Sequence, residues 1–206
     1  MNSILVLDLL IFIFITFSRI YTFYYYITYE NIVQQYKDSK FFIILKSNVS
    51  YTSYSLNLLY IWFFIKYYFN YNIPEFNYSV WCINFTISLA YWSLNMYIVD
   101  NNKPESNTVL YKCTDILSHG GINFLTIFTL LDNNINYYNI IYTMLLSAFW
   151  FIFILIPWRR YTNDNIYIFL NDEYSPMFKS IIIFTMIYIH ILSCSVAIYI
   201  SNYIIN

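Results

Sequence analysis

The chain has 206 residues, of which 60% are apolar and only 10% are charged, and its mean hydropathy is +0.52. An ordinary soluble domain carries far more charge, so this composition indicates a membrane protein. The formal net charge is −1. That value excludes the strongly basic character of a nucleic-acid-binding protein, and we expect no DNA or RNA partner.

Three cysteines, Cys82, Cys113 and Cys194, lie far apart in apolar stretches. They form no CxxC pair and have no histidine at a spacing that suits zinc. The sequence therefore predicts packing roles for them rather than disulfides or metal ligation, and we expect neither a metal nor a cofactor.

Six apolar segments follow one another along the chain, and each is about 20 residues long, the length that crosses a bilayer. They cover about residues 3–24, 50–70, 78–99, 109–131, 137–157 and 179–203. The first contains Asp8 and lacks both a basic start and a small-residue cleavage site, so we predict a retained span rather than a signal peptide. The predicted fold is all-α: one integral membrane domain over residues 1–206, built as a bundle of about six transmembrane helices.

Positive charge collects on the odd-numbered connections between these segments. The residues are Lys37, Lys40, Lys46, Lys103, Arg159 and Arg160. Because short cytoplasmic loops retain Lys and Arg, both termini are predicted to face the lumen or the exterior. The stretch "SKFFIILKSNVSYTSYS" before the second span mixes apolar and polar residues, which is typical of an interfacial or re-entrant segment as well as of a loop.

The fourth span holds four polar residues on one helical face: Lys112, Asp115, His119 and Asn123. They are three or four positions apart, so Lys112 can pair with Asp115, and Asp115 can accept a hydrogen bond from His119. Such a bond fixes the imidazole tautomer, as a general base requires. The alternative is structural: the same groups neutralise one another and lock the helix packing.

Both glycines of the chain, Gly120 and Gly121, come directly after His119. A glycine destabilises a helix by about 1 kcal/mol relative to alanine, so the pair indicates a requirement for absent side chains. Close approach of a neighbouring helix satisfies that requirement, and so does space for a substrate beside His119.

Two further ionisable residues lie in other spans. His190, in the sixth, is predicted to make an interhelical hydrogen bond. Asp8, in the first, is either a second carboxylate for one of the histidines or a residue near the luminal interface.

A hydrolase also needs a nucleophile, and hydroxyl groups are frequent at the start of the second span. The candidates are Ser47, Ser50, Thr52, Ser53 and Ser55. No GxSxG motif distinguishes one of them, and hydroxyls in membrane helices commonly bond back to a carbonyl of their own helix.

Three segments, in this order, are similar to parts of one family: "SKFFIIL", "ILSHGGINFLTIFTLLD" and "FWFIFILIPWRRYTNDNIYIFLND". Over residues 38–203 the chain resembles a divergent member of the androgen-induced protein family, six-span membrane threonine hydrolases of fatty acid esters of hydroxy fatty acids. The resemblance implies a Thr nucleophile near the second span and a His base in the fourth. Ile43 occupies the position closest to the family threonine, and Ile122 that of a second histidine found in some members.

From the residues and the resemblance together we expect a membrane lipid hydrolase of the endoplasmic reticulum or another endomembrane. Its expected site has His119 as base, Asp115 orienting it, and Thr52 or Ser47 as nucleophile. Membrane lipids and a lipid ester substrate are the expected partners, and the sequence carries no signal for the oligomeric state. The alternative is an inactive relative or a small transporter in which Lys112, Asp115 and His119 form a buried network.

Overall fold

The structure is a computed structural model, and it describes residues 3–28, 40–98, 113, 115–131, 136–162 and 174–204. Within these ranges the chain forms helices and turns but no strands. The predicted all-α class is therefore confirmed.

The helices follow the predicted segments in order. They are α1 (Ser3–Thr28), α2 (Lys40–Val49), α3 (Tyr51–Tyr67), α4 (Pro74–Ile98), α5 (Ile122–Leu130), α6 (Asn139–Trp150), α7 (Ile156–Thr162) and α8 (Pro176–Tyr203). Two π-helical segments interrupt the series: Leu117–Gly121 runs into α5, and Phe151–Leu155 joins α6 to α7. The sequence allowed "SKFFIILKSNVSYTSYS" to be a loop or an interfacial or re-entrant segment. In the structure it forms α2 and the beginning of α3.

Two helical stretches within the described residues are long and apolar enough to cross a membrane, namely Asn139–Thr162 and Pro176–Tyr203. Some of the other predicted spans coincide with helices that are shorter or more polar. For example, α3 has 17 residues, and α4 carries several Asn, Ser and Tyr side chains. The number of membrane spans thus stays a prediction.

Helix α4 is the centre of the bundle, in contact with α3, α5, α6 and α8. Its residues 77–84 are all buried. Buried polar side chains of α4 form hydrogen bonds within the helix. Asn84 Nδ2 donates to the Val80 carbonyl at 2.8 Å, and Ser88 Oγ donates to the Asn84 carbonyl at 3.2 Å. Such local bonds avoid the cost of an unpaired polar group in an apolar interior.

The junction between α2 and α3 is a sharp change of direction at Ser50, whose backbone is extended (φ −61°, ψ 148°). The Ser50 hydroxyl accepts the Ser53 N–H at 3.1 Å and so caps α3. Thr52 consequently lies in the first turn of α3, directly after the bend.

Candidate functional site

His119 lies in the π-helical segment Leu117–Gly121, between α4 and α3. The Ile122 N–H bonds to the Leu117 carbonyl, five residues back instead of the four of an α-helix. This insertion widens one turn of the helix around His119. Single π turns within α-helices occur frequently at functional sites.

Three side chains meet at this turn in a linear arrangement. Thr52 Oγ1 lies 3.2 Å from His119 Nε2. On the other side of the ring, His119 Nδ1 lies 3.1 Å from Asp115 Oδ1. The His119 and Asp115 side chains are 17% and 23% exposed, so both are partly accessible.

The surroundings of His119 determine which ring nitrogen carries the proton. Nδ1 faces the Asp115 carboxylate, the Asp115 backbone carbonyl at 3.0 Å and the Ser118 hydroxyl at 3.2 Å. The Asp115 oxygens can only accept, so Nδ1 is the donor. In the neutral imidazole Nε2 is then unprotonated and accepts the hydroxyl hydrogen of Thr52, the arrangement in which histidine acts as a general base.

Tyr91 of α4 contacts both Asp115 and His119. The sequence did not identify it as a site residue. Its phenol donates a hydrogen bond to Asp115 Oδ2. Its ring stacks on the His119 imidazole, with centroids 3.9 Å apart and an interplanar angle of 17°. The chain has 25 tyrosines, so nothing in the sequence distinguishes this one; only the packing of α4 against the π-helical segment does so.

Of the two candidate nucleophiles, the structure brings Thr52 to His119 and places Ser47 elsewhere. Ser47 is buried near the end of α2, where its carbonyl accepts bonds from Ser53 Oγ at 2.8 Å and Arg19 Nη1 at 3.2 Å. Its hydroxyl lies 3.2 Å from the Asn48 amide nitrogen. Ile43, at the position of the family threonine, also belongs to α2.

Packing against a neighbouring helix explains one of the two glycines, Gly120. A Cβ on Gly120 would lie 3.2 Å from the Trp92 indole nitrogen, which belongs to the neighbouring helix α4. A Cβ on Gly121 would lie 2.8 Å from Leu117 Cδ2, one π turn back. Gly120 therefore permits the close approach of α4 to the turn that carries His119.

Three members of the predicted polar stripe on the fourth span contact α4. Asn123 is buried against α4, where its amide nitrogen donates to Ser88 Oγ and, at 3.3 Å, to the Asn84 carbonyl. Asp115 and His119 contact Tyr91 of the same helix, and His119 also contacts Thr52. Lys112 lies outside the described residues.

Asp8 serves neither histidine. Its carboxylate is fully buried and pairs with Lys66, with 2.7 Å between Oδ2 and Nζ, and it also accepts a bond from the Tyr67 phenol. The partner is thus at the far end of α3 from Thr52. Asp8 joins α1 to α3 rather than belonging to the candidate site.

His190 makes the predicted interhelical hydrogen bonds. Its Nδ1 lies 2.9 Å from Thr86 Oγ1 of α4, and its Nε2 lies 3.3 Å from Ser147 Oγ of α6.

The three cysteines are free; Cys82 and Cys194 are buried, as expected of packing residues, whereas Cys113 is exposed. Within the described part of the chain, no group of three or more His, Cys, Asp and Glu side chains is arranged to hold a metal ion.

Comparison with known proteins gives no match: no family model, no curated protein and no solved structure is significantly similar to this chain. Any conclusion about function therefore rests on the geometry of the site and on the sequence.

Proposed function

We propose that the chain is an integral membrane hydrolase of lipid esters, in which Thr52 is the nucleophile, His119 the general base and Asp115 the group that orients the base. The observation that carries this proposal is the contact between Thr52 Oγ1 and His119 Nε2, with Asp115 beside Nδ1 of the same ring. The nucleophile, base and orienting carboxylate follow one another at hydrogen-bond distances, as in hydrolases that act through a covalent acyl intermediate.

The chemistry follows from these positions. As the Thr52 oxygen attacks the ester carbonyl, its proton passes to His119 Nε2, and a tetrahedral adduct forms. Asp115 stabilises the resulting imidazolium. His119 then gives the proton to the departing alkoxide, which leaves as an alcohol. Water, deprotonated by the same nitrogen, attacks the acyl-threonine; the fatty acid is released as His119 returns the proton to the Thr52 oxygen.

The position of Thr52 in the first turn of α3 favours this reaction. Backbone N–H groups in the first turn of a helix have no carbonyl partner in that helix, and they carry the positive end of its dipole. A carbonyl oxygen attacked by Thr52 acquires negative charge close to this end. The positive end of the helix dipole lowers the energy of such an adduct.

The membrane location is supported by the large exposed surface of the two most apolar helical stretches. In the most apolar windows of Asn139–Thr162 and Pro176–Tyr203, only 17% and 33% of the residues are buried. Large apolar side chains such as Phe153, Phe184 and Tyr188 are mostly exposed. Apolar surface on this scale is unfavourable in water but not in hydrocarbon. The endoplasmic reticulum or another endomembrane is the proposed compartment, as the family resemblance implies.

The substrate class also follows from the resemblance: fatty acid esters of hydroxy fatty acids. The test is hydrolysis of such an ester by purified protein in detergent or liposomes. Thr52→Ala and His119→Ala are expected to abolish turnover, whereas Ser47→Ala, which removes the rejected candidate, is expected to leave it intact. Normal turnover in Thr52→Ala would overturn the proposal.

The rival function is non-enzymatic, either an inactive relative or a small transporter. It is favoured by one observation: Asp115 is fully engaged, because one carboxylate oxygen accepts from Tyr91 and the other from His119. Such a network can simply lock α4 to the π-helical segment. Absence of hydrolysis, with loss of folded protein in Asp115→Ala, would support this alternative.

A further inference from the structure

A second group of four polar side chains, three of them buried, lies near the N-terminus of α3. Tyr51, Thr86, Ser147 and His190 form it, one each from α3, α4, α6 and α8, and we call it the His190 cluster. The phenol of Tyr51 lies 2.7 Å from Ser147 Oγ, which lies 3.3 Å from His190 Nε2. His190 Nδ1 lies 2.9 Å from Thr86 Oγ1.

Ser147 also bonds within its own helix, with its hydroxyl oxygen 3.0 Å from the Thr143 carbonyl. The bond between Tyr51 and Ser147 therefore links α3 to a serine that α6 holds in place.

His190 is not a second catalytic base. It is 5% exposed, and the hydroxyl beside it is engaged by Tyr51 and by a carbonyl of its own helix. A substrate cannot reach it. The cluster reaches the candidate site through Tyr51, the residue immediately before Thr52.

Successive residues of an α-helix point about 100° apart. Tyr51 therefore points toward α6 while Thr52 points toward His119, and any rotation of the first turn of α3 moves both. Trp150 of α6 supports the same turn: its indole N–H donates to the Val49 carbonyl at 2.8 Å, and its ring packs on Tyr51 with 4.6 Å between centroids.

From this arrangement we infer that Tyr51 and His190 are positioning residues, which hold the first turn of α3 so that Thr52 Oγ1 stays within reach of His119 Nε2. The inference rests on the proposed function of Thr52. The tolerance is small, because 3.2 Å is already at the long end of the range for such a contact.

Tyr54 provides a matched control for Tyr51. It is one turn further along α3, is also buried, and its phenol also bonds to α6, donating to the Leu146 carbonyl at 3.0 Å. It does not bond to the His190 cluster. Tyr51→Phe and Tyr54→Phe each remove one buried phenol oxygen and one bond to α6, and only the first disconnects the cluster.

The experiment compares ester hydrolysis by these two variants, by His190→Leu and by the double variants. A displacement of about 1 Å at a reacting group costs about a hundredfold in rate, so Tyr51→Phe is expected to lower kcat about ten- to a hundredfold with KM unchanged. His190→Leu is expected to lower kcat by a similar factor. The double variant Tyr51→Phe/His190→Leu is expected to have a kcat no lower than that of either single variant, because both changes break the same connection. His190→Gln, which keeps a polar group toward Ser147, is expected to recover part of the loss and guards against misfolding of the leucine variant.

Amide hydrogen exchange of the segment 47–56 is a second measurement, and it needs no substrate. The Ser53 and Tyr54 amides, both bonded to Ser50, are expected to exchange faster in Tyr51→Phe and His190→Leu than in Tyr54→Phe. Equal kcat values for the two tyrosine variants, or unchanged exchange, would overturn the inference. If the wild-type protein hydrolyses no ester, the proposed function fails separately, and the exchange rates still decide whether the cluster positions α3.

Discussion

Replacing Asp115 by alanine tests how the base is oriented, and the structure allows the size of the effect to be worked out. The substitution removes the carboxylate 3.1 Å from His119 Nδ1 but leaves the Asp115 backbone carbonyl, 3.0 Å from the same nitrogen. The reactive tautomer is therefore retained. What is lost is the stabilisation of the imidazolium by a negative charge, a charged hydrogen bond worth about 1.5 to 3 kcal/mol.

That energy corresponds to a decrease in kcat of about ten- to a hundredfold, since about 1.4 kcal/mol is tenfold. Removing the base itself, in His119→Ala, is expected to cost more, up to about 10⁴-fold. Both values are measured as steady-state kcat on a hydroxy-fatty-acid ester in liposomes. Tyr91→Phe is the companion variant: it deletes the donor to Asp115 Oδ2 but keeps the carboxylate, so its loss should be smaller than that of Asp115→Ala. If Asp115→Ala were as inactive as His119→Ala, the backbone carbonyl would not be holding the tautomer and the reasoning would be refuted.

Three further predictions concern the rest of the fold. Lys66→Met leaves the buried Asp8 carboxylate with the Tyr67 phenol as its remaining described partner. It should lower the free energy of unfolding by about 2 to 3 kcal/mol, measured by thermal unfolding in detergent. The double variant Lys66→Met/Asp8→Asn should recover most of the lost stability. Gly121→Ala should leave the melting temperature nearly unchanged, because its Cβ meets only the end of the exposed Leu117 side chain and alanine favours a helix; a drop as large as that of Lys66→Met would contradict this. N-ethylmaleimide should modify Cys113, which is exposed, well before the buried Cys82 and Cys194; mass spectrometry of the labelled peptides checks the order.

Local spacing predicted the contact between Asp115 and His119, since residues four apart on a helix are neighbours whatever the rest of the chain does. The same spacing placed Asn123 on their face, and all three residues contact α4: Asp115 and His119 at Tyr91, and Asn123 at Ser88 and Asn84. The π turn at Leu117–Gly121 was not predicted. The glycine pair was visible in the sequence, but a glycine pair does not by itself specify a π turn.

Contacts between distant parts of the chain were beyond sequence reasoning. Thr52 and His119 are 67 positions apart, and five hydroxyls near the second span were equivalent by pattern. Only the bend at Ser50 and the packing of α3 against the π-helical segment select Thr52. Asp8 and Lys66, 58 positions apart, were likewise not paired in advance, because an intramembrane carboxylate indicates that a partner exists without identifying it.

The central claim is that Thr52, activated by His119, attacks the substrate. The most direct test is to treat the protein in liposomes with a fluorophosphonate, which reacts with activated hydroxyls, and to map the modified residue by mass spectrometry. An adduct on Thr52 is expected in the wild-type protein and in Ser47→Ala, and none in His119→Ala. An adduct on Ser47, or an adduct on Thr52 that persists in His119→Ala, would contradict it.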